Sequence, residues 1–139
     1  MKRWTVVERE RVFESRVFAL DRLTCSHPEK SGHNDFLILD CPDWVNIVAR
    51  DAAGRYILVR QHRLGTGEDT LETPAGLIER GEDPVEAARR ELLEETGHRA
   101  GNIVLMKKLT ANPAIMNNSI YFYFAEGCEP VSAQSLDFA

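Results

Sequence analysis

Features of secreted, membrane-spanning and nucleic-acid-binding proteins are scarce in this sequence. Its three cysteines, Cys25, Cys41 and Cys128, form no CxxC pair, and an odd number of widely spaced thiols favours a reducing compartment over a disulfide framework. No apolar run approaches the ~18 residues that cross a bilayer, and the first residues lack the apolar segment of a signal peptide. The net charge of −5 argues against binding to a nucleic-acid backbone. We therefore expect a cytoplasmic protein that binds neither membranes nor nucleic acids.

The composition is that of an ordinary globular protein. Hydrophobic residues make up 43% and charged residues 28% of the 139 residues, which allows one domain over residues 1–139 to form a core. Segments rich in β-branched and aromatic residues predict strands, and they are WTVVERERVF, FALDRLTC, FLILD, WVNIVARD, YILVRQHR, NIVLMKKL and SIYFYFAEG. The stretch HPEKSGHND is rich in turn residues, and we expect it to be a loop.

One helix is predicted between Asp83 and Gly97. Asp83 is a typical N-cap, Pro84 suits the first helical position, and Gly97 is a typical helix end. Apolar side chains recur on one side of the segment, so that this side would face the core: Val85, Ala88, Leu92 and Leu93.

Three acids share another face of this predicted helix. Glu91, Glu94 and Glu95 are spaced i, i+3 and i+4. They lie close to the helix C-terminus, where the macrodipole disfavours each negative charge by about 0.3–1 kcal/mol. A solvated surface tolerates this cost, so a plain acidic face is one interpretation. The other is a site for a hard divalent cation, because carboxylates one turn apart can converge on one ion, which then removes their repulsion.

The glutamates belong to a longer pattern of fixed residues. From Gly76 to Gly97 the chain reads G-x5-E-x7-R-E-L-x-E-E-x-G, and this pattern resembles the signature of the Nudix hydrolases at nearly every fixed position. His98 departs from it, because family members usually have an aliphatic residue there. The resemblance implies an α+β fold, the Nudix α/β/α sandwich with a mixed β-sheet, with an N-terminal antiparallel strand arm over residues 1–40 and a catalytic core over residues 41–139.

The resemblance also implies a role for each residue of the pattern. Two or three Mg²⁺ or Mn²⁺ ions would be held by one backbone carbonyl and three carboxylates: Ala75, Glu91, Glu94 and Glu95. Of these, Glu94 would be a further ligand or would act through water. Glu82 and Arg90 would form a salt bridge that orients the ligand glutamates. The predicted catalytic residues are therefore Glu82, Arg90, Glu91, Glu94 and Glu95.

The segment before the pattern indicates a branch of the family. QHRLGTGEDTLETPAG is similar to the corresponding segment of ADP-ribose and nucleoside-diphosphate-sugar pyrophosphatases, in which Q-Y-R precedes E-x-P-A-G, and His62 replaces the tyrosine here. Gln61 and Arg63 are then substrate-binding candidates. Arg63 could clamp a phosphate bidentately, or it could be a surface cation. Glu72 could bind metal or ribose, or it could be a surface acid.

Three more substrate-binding candidates lie outside this segment. Pro113 follows the pattern at about the distance that marks the ADP-ribose pyrophosphatase branch. Asn117 offers an amide to a sugar or base, although turn formation is its simpler interpretation. Trp44 at a strand start could stack on adenine or could pack in the core. N-terminal strands of this branch often contact the partner subunit, so residues 1–40 predict a homodimer.

The resemblance predicts Mg²⁺-dependent hydrolysis of the pyrophosphate bond of ADP-ribose or a nucleoside-diphosphate sugar. The alternatives are a nucleoside-triphosphate pyrophosphohydrolase, a non-catalytic nucleotide-sugar-binding module and an acidic interaction domain. Family members often carry another catalytic glutamate beyond the last predicted strand, where this chain offers only Glu126, Glu129 and Asp137. Either a C-terminal element is missing or the general base comes from elsewhere.

Overall fold

Strands make up most of the fold. The computed structural model describes residues 2–135. Its elements in chain order are β1 (Thr5–Glu14), β2 (Ala19–His27), β3 (Lys30–Asp40), β4 (Trp44–Asp51), β5 (Tyr56–Ile57), β6 (Val59–Arg63), β7 (Glu68–Glu72), β8 (Ala75–Leu77), α1 (Pro84–Thr96), β9 (His98–Arg99), β10 (Asn102–Thr110) and β11 (Ser119–Pro130). Every predicted strand segment and the predicted helix are present, but the run YILVRQHR is divided into β5 and β6.

β1, β2 and β3 form an antiparallel sheet. The loop expected over HPEKSGHND is wrong, because β3 already begins at Lys30 and only Pro28 and Glu29 form the turn. Pairs such as Cys25 with Asn34 extend the ladder into this stretch. Cross-strand pairing therefore outweighs the low strand propensity of its residues.

A buried carboxylate links the first two strands. Asp21 of β2 is 1% exposed, and Arg11 and Arg9 of β1 both donate hydrogen bonds to it. Arg11 also pairs with Asp40 at the end of β3. The guanidinium groups of Arg11 and Arg9 lower the pKa of Asp21 to about 2, so the buried charge is paired and fully hydrogen-bonded.

The described chain divides into two compact units. One comprises the residues up to Pro42 together with Thr110–Ser119, and the other comprises Asp43–Leu109 together with the residues from Ile120 onward. The sheet of β1, β2 and β3 lies in the first unit, and α1 lies in the second. The expected division into an arm over residues 1–40 and a core over residues 41–139 stays a prediction.

A mixed sheet forms most of the second unit. Its strand order is β10-β11-β4-β5, and β8 also pairs with β4. β11 runs parallel to β4, whereas β5 and β8 run antiparallel to it. Alternate residues of β4 are buried, and α1 packs on them; this core includes Val45, Ile47, Ala49, Ala87, Ala88 and Leu92. Within residues 2–135 α1 is the one helix, so the described part contains a single helical layer.

α1 begins and ends where its capping residues predict. Asp83 accepts a hydrogen bond from the Val85 amide at 2.9 Å, and Pro84 lies in the first turn. Gly97 ends the helix at φ 69°, a left-handed conformation that favours glycine. The local sequence therefore determines both ends of the helix that carries the three glutamates.

Neither a disulfide nor a helix long and apolar enough to span a bilayer occurs in the part of the chain that the structure describes. Cys25 and Cys128 are buried, whereas Cys41 is only partly buried. The prediction of free thiols agrees with these positions.

Candidate functional site

The glutamates of α1 reach the backbone of β8. Glu91 and Glu95 lie one helical turn apart, and both carboxylates contact the segment formed by Ala75 and Gly76. The carboxylate of Glu91 lies in the space that a Cβ atom on Gly76 would need. The Ala75 amide donates a hydrogen bond to Glu95 Oε2 at 3.0 Å. Gly76 is therefore required for this close approach.

Glu95 also contacts the hairpin formed by β6 and β7. Gln61 of β6 donates its side-chain amide to Glu95 Oε1 at 3.2 Å. Each oxygen of the Glu95 carboxylate thus accepts one hydrogen bond. Gln61 thus hydrogen-bonds a predicted metal ligand, and the substrate contact that the resemblance suggests for it stays a prediction.

Arg90 joins the loop before α1 to the glutamates. Its Nε and Nη2 groups donate to the two oxygens of Glu82, each at 2.9 Å, and Nη2 also donates to the Leu77 carbonyl at 3.0 Å. Nη1 donates to Glu91 at 2.7 Å and to Glu94 at 3.2 Å. The salt bridge between Glu82 and Arg90 is thus present, and the same guanidinium holds two predicted metal ligands.

Burial disfavours the charged form of two of these carboxylates. It raises the pKa of Glu91, although hydrogen bonding and charge from Arg90 oppose the shift. It also raises the pKa of Glu95, against hydrogen bonds from Ala75 and Gln61. A divalent cation would stabilise the charged form of both groups. Carboxylate and carbonyl oxygens are the ligands that Mg²⁺ and Mn²⁺ prefer, so the residues present fit a hard cation.

As the side chains stand, no three His, Cys, Asp or Glu residues among positions 2–135 form a group that could hold a metal ion. Arg90 engages Glu91 and Glu94, and Glu95 has the two hydrogen-bond donors described above. A cation would have to replace some of these contacts. Metal binding by the whole predicted set therefore stays a prediction: Ala75, Glu91, Glu94 and Glu95.

Arg63 and Glu72 form a bidentate ion pair within the β6–β7 hairpin. Arg63 donates from Nε and Nη2 to the two Glu72 oxygens at 2.8 and 2.6 Å, and the Thr70 hydroxyl also donates to Glu72. Arg63 and then Thr70 lower the pKa of Glu72 to about 2. The charge of Arg63 also favours the ionised form of Glu95. Arg63 therefore lies near a predicted metal ligand and presents Nη1, which does not contact Glu72.

The other substrate-binding candidates lie in two places. Trp44 is the first residue of β4 and is partly buried. Pro113 and Asn117 belong to the other compact unit, where Asn117 accepts a hydrogen bond from the Cys41 amide at 3.1 Å and donates one to Asp40. Both ends of the Asn117 amide thus have structural partners. Substrate contacts by Trp44, Pro113 and Asn117 stay predictions.

The acids near the C-terminus have other contacts. Glu126 pairs with Arg50 at 3.5 Å, and Glu129 lies opposite Arg99 in the pairing of β11 with β9. Asp137 lies outside the described residues. None of these contacts identifies Glu126 or Glu129 as a general base.

Thr70 hydrogen-bonds Glu72, but it belongs to no sequence motif and was not predicted as a site residue. It lies directly opposite Gln61 in the β6–β7 ladder, and Arg63 and Glu72 lie two positions away on their strands. Since side chains alternate between the faces of a hairpin, all four point to one face. A prediction of the β6–β7 register would have placed Thr70 beside the other three residues.

The segment after β11 caps the last turn of α1. Gln134 donates its side-chain amide to the Glu95 carbonyl at 2.6 Å, and the Ser135 amide donates to the Glu94 carbonyl at 2.9 Å. The last carbonyls of a helix have no partner within it, and this segment supplies donors to two of them. No local sequence signal predicts a contact between such distant parts of the chain.

Known proteins resemble the chain in sequence and in fold. A protein-family model described as NUDIX domain matches residues 42–136. The chain is 29% identical over 123 residues to the methanol dehydrogenase activator of Bacillus methanolicus, a match that covers 87% of this chain and 65% of that protein. It is 33% identical over 89 residues to the ADP-ribose pyrophosphatase of Bacillus subtilis, a match that covers 64% of this chain and 48% of that protein.

A solved structure shares the fold over nearly the whole chain. The crystal structure of an ADP compounds hydrolase superposes with a TM-score of 0.85 and 27% sequence identity, covering 99% of this chain and 74% of that chain. The predicted α+β fold class with a mixed sheet is therefore confirmed.

Proposed function

The chain belongs to the Nudix domain family, and from this premise we propose that it hydrolyses the pyrophosphate bond of ADP-ribose or another nucleoside-diphosphate sugar. The products would be a nucleoside monophosphate and a sugar phosphate. The observation that carries the proposal is the convergence of Glu91 and Glu95 on the backbone of Ala75 and Gly76, near Arg63. One relative is named for ADP-ribose and the solved structure for ADP compounds, which agrees with this substrate class.

Mg²⁺ or Mn²⁺ is the proposed cofactor, with two or three ions bound. The residues that would hold it are Ala75, through its carbonyl, and the three glutamates Glu91, Glu94 and Glu95. When bound, a divalent cation would neutralise charge on the pyrophosphate and make phosphorus more open to attack by water. Arg90 would keep two of the glutamates oriented, and its own bidentate bond to Glu82 would hold the loop before α1 in place.

Arg63 is the proposed phosphate-binding residue. Glu72 holds the Nε and Nη2 edge of its guanidinium, so this side chain is ordered before substrate arrives. An ordered donor loses less conformational entropy on binding than a mobile one. Glu72 therefore acts as a positioning residue for Arg63, which differs from the direct contact with metal or ribose that the sequence suggested. Gln61 has the same kind of role toward Glu95.

Trp44, Pro113 and Asn117 complete the proposed substrate contacts. Trp44 is partly buried at the start of a strand, and an indole in such a position can stack on a base while its other edge packs in the protein. Pro113 and Asn117 lie in the loop between β10 and β11. Trp44→Leu should raise KM for ADP-ribose more than it lowers kcat, because it removes the proposed stacking surface.

A homodimer through the N-terminal strands is also part of the proposal. All positions of β1 are exposed, and the sheet exposes large hydrophobic side chains that include Val7 (53%), Phe13 (51%) and Leu37 (54%). Apolar side chains exposed together on one surface mark protein interaction sites, so these positions support the proposed contact. Sedimentation equilibrium should give twice the chain mass, and Val7→Glu should shift the equilibrium toward the monomer.

The proposed reaction is tested by phosphate release in a phosphatase-coupled assay. The panel holds ADP-ribose, GDP-mannose, other nucleotide sugars, dinucleotides and nucleoside triphosphates, each with Mg²⁺ and with an EDTA control. We expect Mg²⁺-dependent cleavage of a nucleotide sugar at a higher kcat/KM than any triphosphate. Cleavage of triphosphates alone would contradict the proposed substrate class. Binding of nucleotide sugars without any turnover would contradict the proposed activity.

A further inference from the structure

A cavity lies on the face of α1 that Arg89 and Leu93 share. Its volume is about 310 Å³, and it is lined by Glu86, Arg89, Arg90, Leu93, Arg99 and Ala100. The four helical residues are spaced i, i+3, i+4 and i+7, so they form one stripe along α1. Arg99 of β9 and Ala100, the next residue, complete the lining.

Arg89 and Arg99 differ from Arg90 in how many of their N–H groups have acceptors. All five N–H groups of Arg90 already have acceptors in Glu82, Leu77, Glu91 and Glu94. Within residues 2–135 Arg89, in contrast, has only an exposed ion pair with Glu86 at 3.7 Å. Arg99 has no ion pair with any residue in positions 2–135.

We propose that this cavity binds a nucleoside monophosphate, with the phosphate between Arg89 and Arg99 and the base against Leu93 and Ala100. The lining contains Arg89 and Arg99 in addition to Arg90, but only one acid, Glu86, so the cavity is cationic in a protein whose net charge is −5. Arginine binds phosphate bidentately and also stacks on planar rings. The volume is at the lower end of the range for small-molecule sites, about 300–1,000 Å³, which suits a mononucleotide better than a larger dinucleotide.

This site is separate from the proposed reaction centre. Arg90 lines the cavity, but all of its N–H groups already have acceptors in Glu82, Leu77, Glu91 and Glu94. A ligand in the cavity therefore need not displace Glu91 or Glu94. The inference does not depend on turnover, although a nucleoside monophosphate is also the class of product that the proposed reaction would release.

The proposal is tested by ¹H–¹⁵N NMR titration of the whole chain with AMP in EDTA, so that no metal takes part. We expect saturable shifts of the Leu93 and Ala100 amides. Arg89→Gln and Arg99→Gln should each weaken AMP binding by about tenfold, since each removes a hydrogen bond to a charged group. Arg80→Gln removes an exposed arginine outside the cavity and should leave binding unchanged. The spectra also report whether each variant is folded.

Four outcomes would overturn the proposal. The first is the absence of saturable shifts at Leu93 and Ala100, and the second is equal affinity for AMP and inorganic phosphate. The third is unchanged AMP binding in both Arg89→Gln and Arg99→Gln. The fourth is loss of the Leu93 and Ala100 shifts in Arg63→Gln. The last of these would place the nucleotide near Arg63, at the proposed reaction centre. Since no cleavage is measured, a failure here is distinguishable from a failure of the proposed reaction.

Discussion

The carboxylate of Glu91 lies against Gly76, in the position that a Cβ atom would occupy. Gly76 does not have a positive φ, so backbone freedom does not explain the glycine. The absence of a side chain does explain it, because Glu91 can then approach β8 at the point where Glu95 accepts a hydrogen bond from Ala75.

Gly76→Ala should therefore displace the Glu91 side chain while the chain remains folded. The end of a glutamate side chain can move away from an added methyl group at little cost. We expect kcat to fall about 10- to 100-fold, the range for losing a group that orients metal ligands, with a small change in Tm. Gly65→Ala is the matched control, because nothing lies within 4 Å of a Cβ atom added there. Full activity of Gly76→Ala would contradict the assigned position of Glu91.

Arg63→Lys should raise KM by about tenfold, because lysine cannot donate the two parallel hydrogen bonds of a guanidinium and loses about 1.5 kcal/mol of binding. The change in kcat should be smaller. Arg60→Lys is the matched control, since Arg60 lies on the same strand in an exposed ion pair with Asp69 at 3.2 Å. A fall in kcat with KM unchanged would show that Arg63 does not act in substrate binding.

Glu72→Ala should raise KM for ADP-ribose, as Arg63→Lys does. Glu72 holds Arg63 through two hydrogen bonds, so the two substitutions remove one shared contribution and should not be additive in the double variant. The measurement is a double-mutant cycle on KM. A lower KM in Glu72→Ala would mean that Glu72 competes with the substrate phosphate for Arg63.

Arg90→Lys should lower both stability and turnover. Arg90 is 27% exposed and Glu82 17% exposed, and lysine cannot satisfy the four acceptor groups around this position. We expect the free energy of unfolding to fall by about 1–3 kcal/mol, the cost of leaving partly buried charged groups unpaired. Arg89→Lys changes the neighbouring exposed arginine and should alter neither quantity. Equal stability of the two variants in urea unfolding would contradict the role assigned to Arg90.

The free energy of unfolding should decrease below pH 4, and protonation of Asp21 should account for part of the decrease. Its pKa is about 2 when folded and has an ordinary value of 3.8. The contribution of the Asp21 carboxylate is therefore present above about pH 4 and is lost as the pH falls from about 4 to 2. Asp21→Asn should be less stable at pH 7, and its stability should fall less over that pH window. Asp35→Asn on β3, whose carboxylate accepts from Thr24, leaves Asp21 and its arginines unchanged, so the decrease that Asp21 causes should remain. The measurement is the free energy of unfolding in urea at pH values between 7 and 2.

Local patterns predicted the part of the site that lies on α1. The N-cap Asp83, the end at Gly97 and the spacing of Glu91, Glu94 and Glu95 all depend on residues within a few positions of each other. Helical geometry then fixes their common face. The strands were also predictable, because β-branched and aromatic residues are frequent in those segments, whereas the mixed sheet was expected from the family resemblance.

Contacts between distant segments could not be predicted in the same way. The pairing of Arg63 with Glu72 depends on the register of β6 and β7, and the capping of α1 by Gln134 depends on where the chain passes after β11. The start of β3 was predicted as a loop because its residues are typical of turns, but its pairing with β2 makes it a strand. The hydrogen bonds of the Asn117 amide with Asp40 and Cys41 also join distant segments, and the substrate contact of Asn117 stays a prediction.

The most direct test is turnover of ADP-ribose as a function of Mg²⁺ concentration in wild type, Glu95→Gln and Glu86→Gln. Glu95→Gln keeps the shape of the side chain but removes the charge that a cation needs, and Glu86 is an exposed acid earlier on the same helix. We expect EDTA to abolish wild-type turnover, Glu95→Gln to lose at least about a hundredfold in kcat, and Glu86→Gln to match wild type. Turnover by Glu95→Gln at the wild-type rate and with the wild-type Mg²⁺ dependence would contradict the assignment of the α1 glutamates as the metal site.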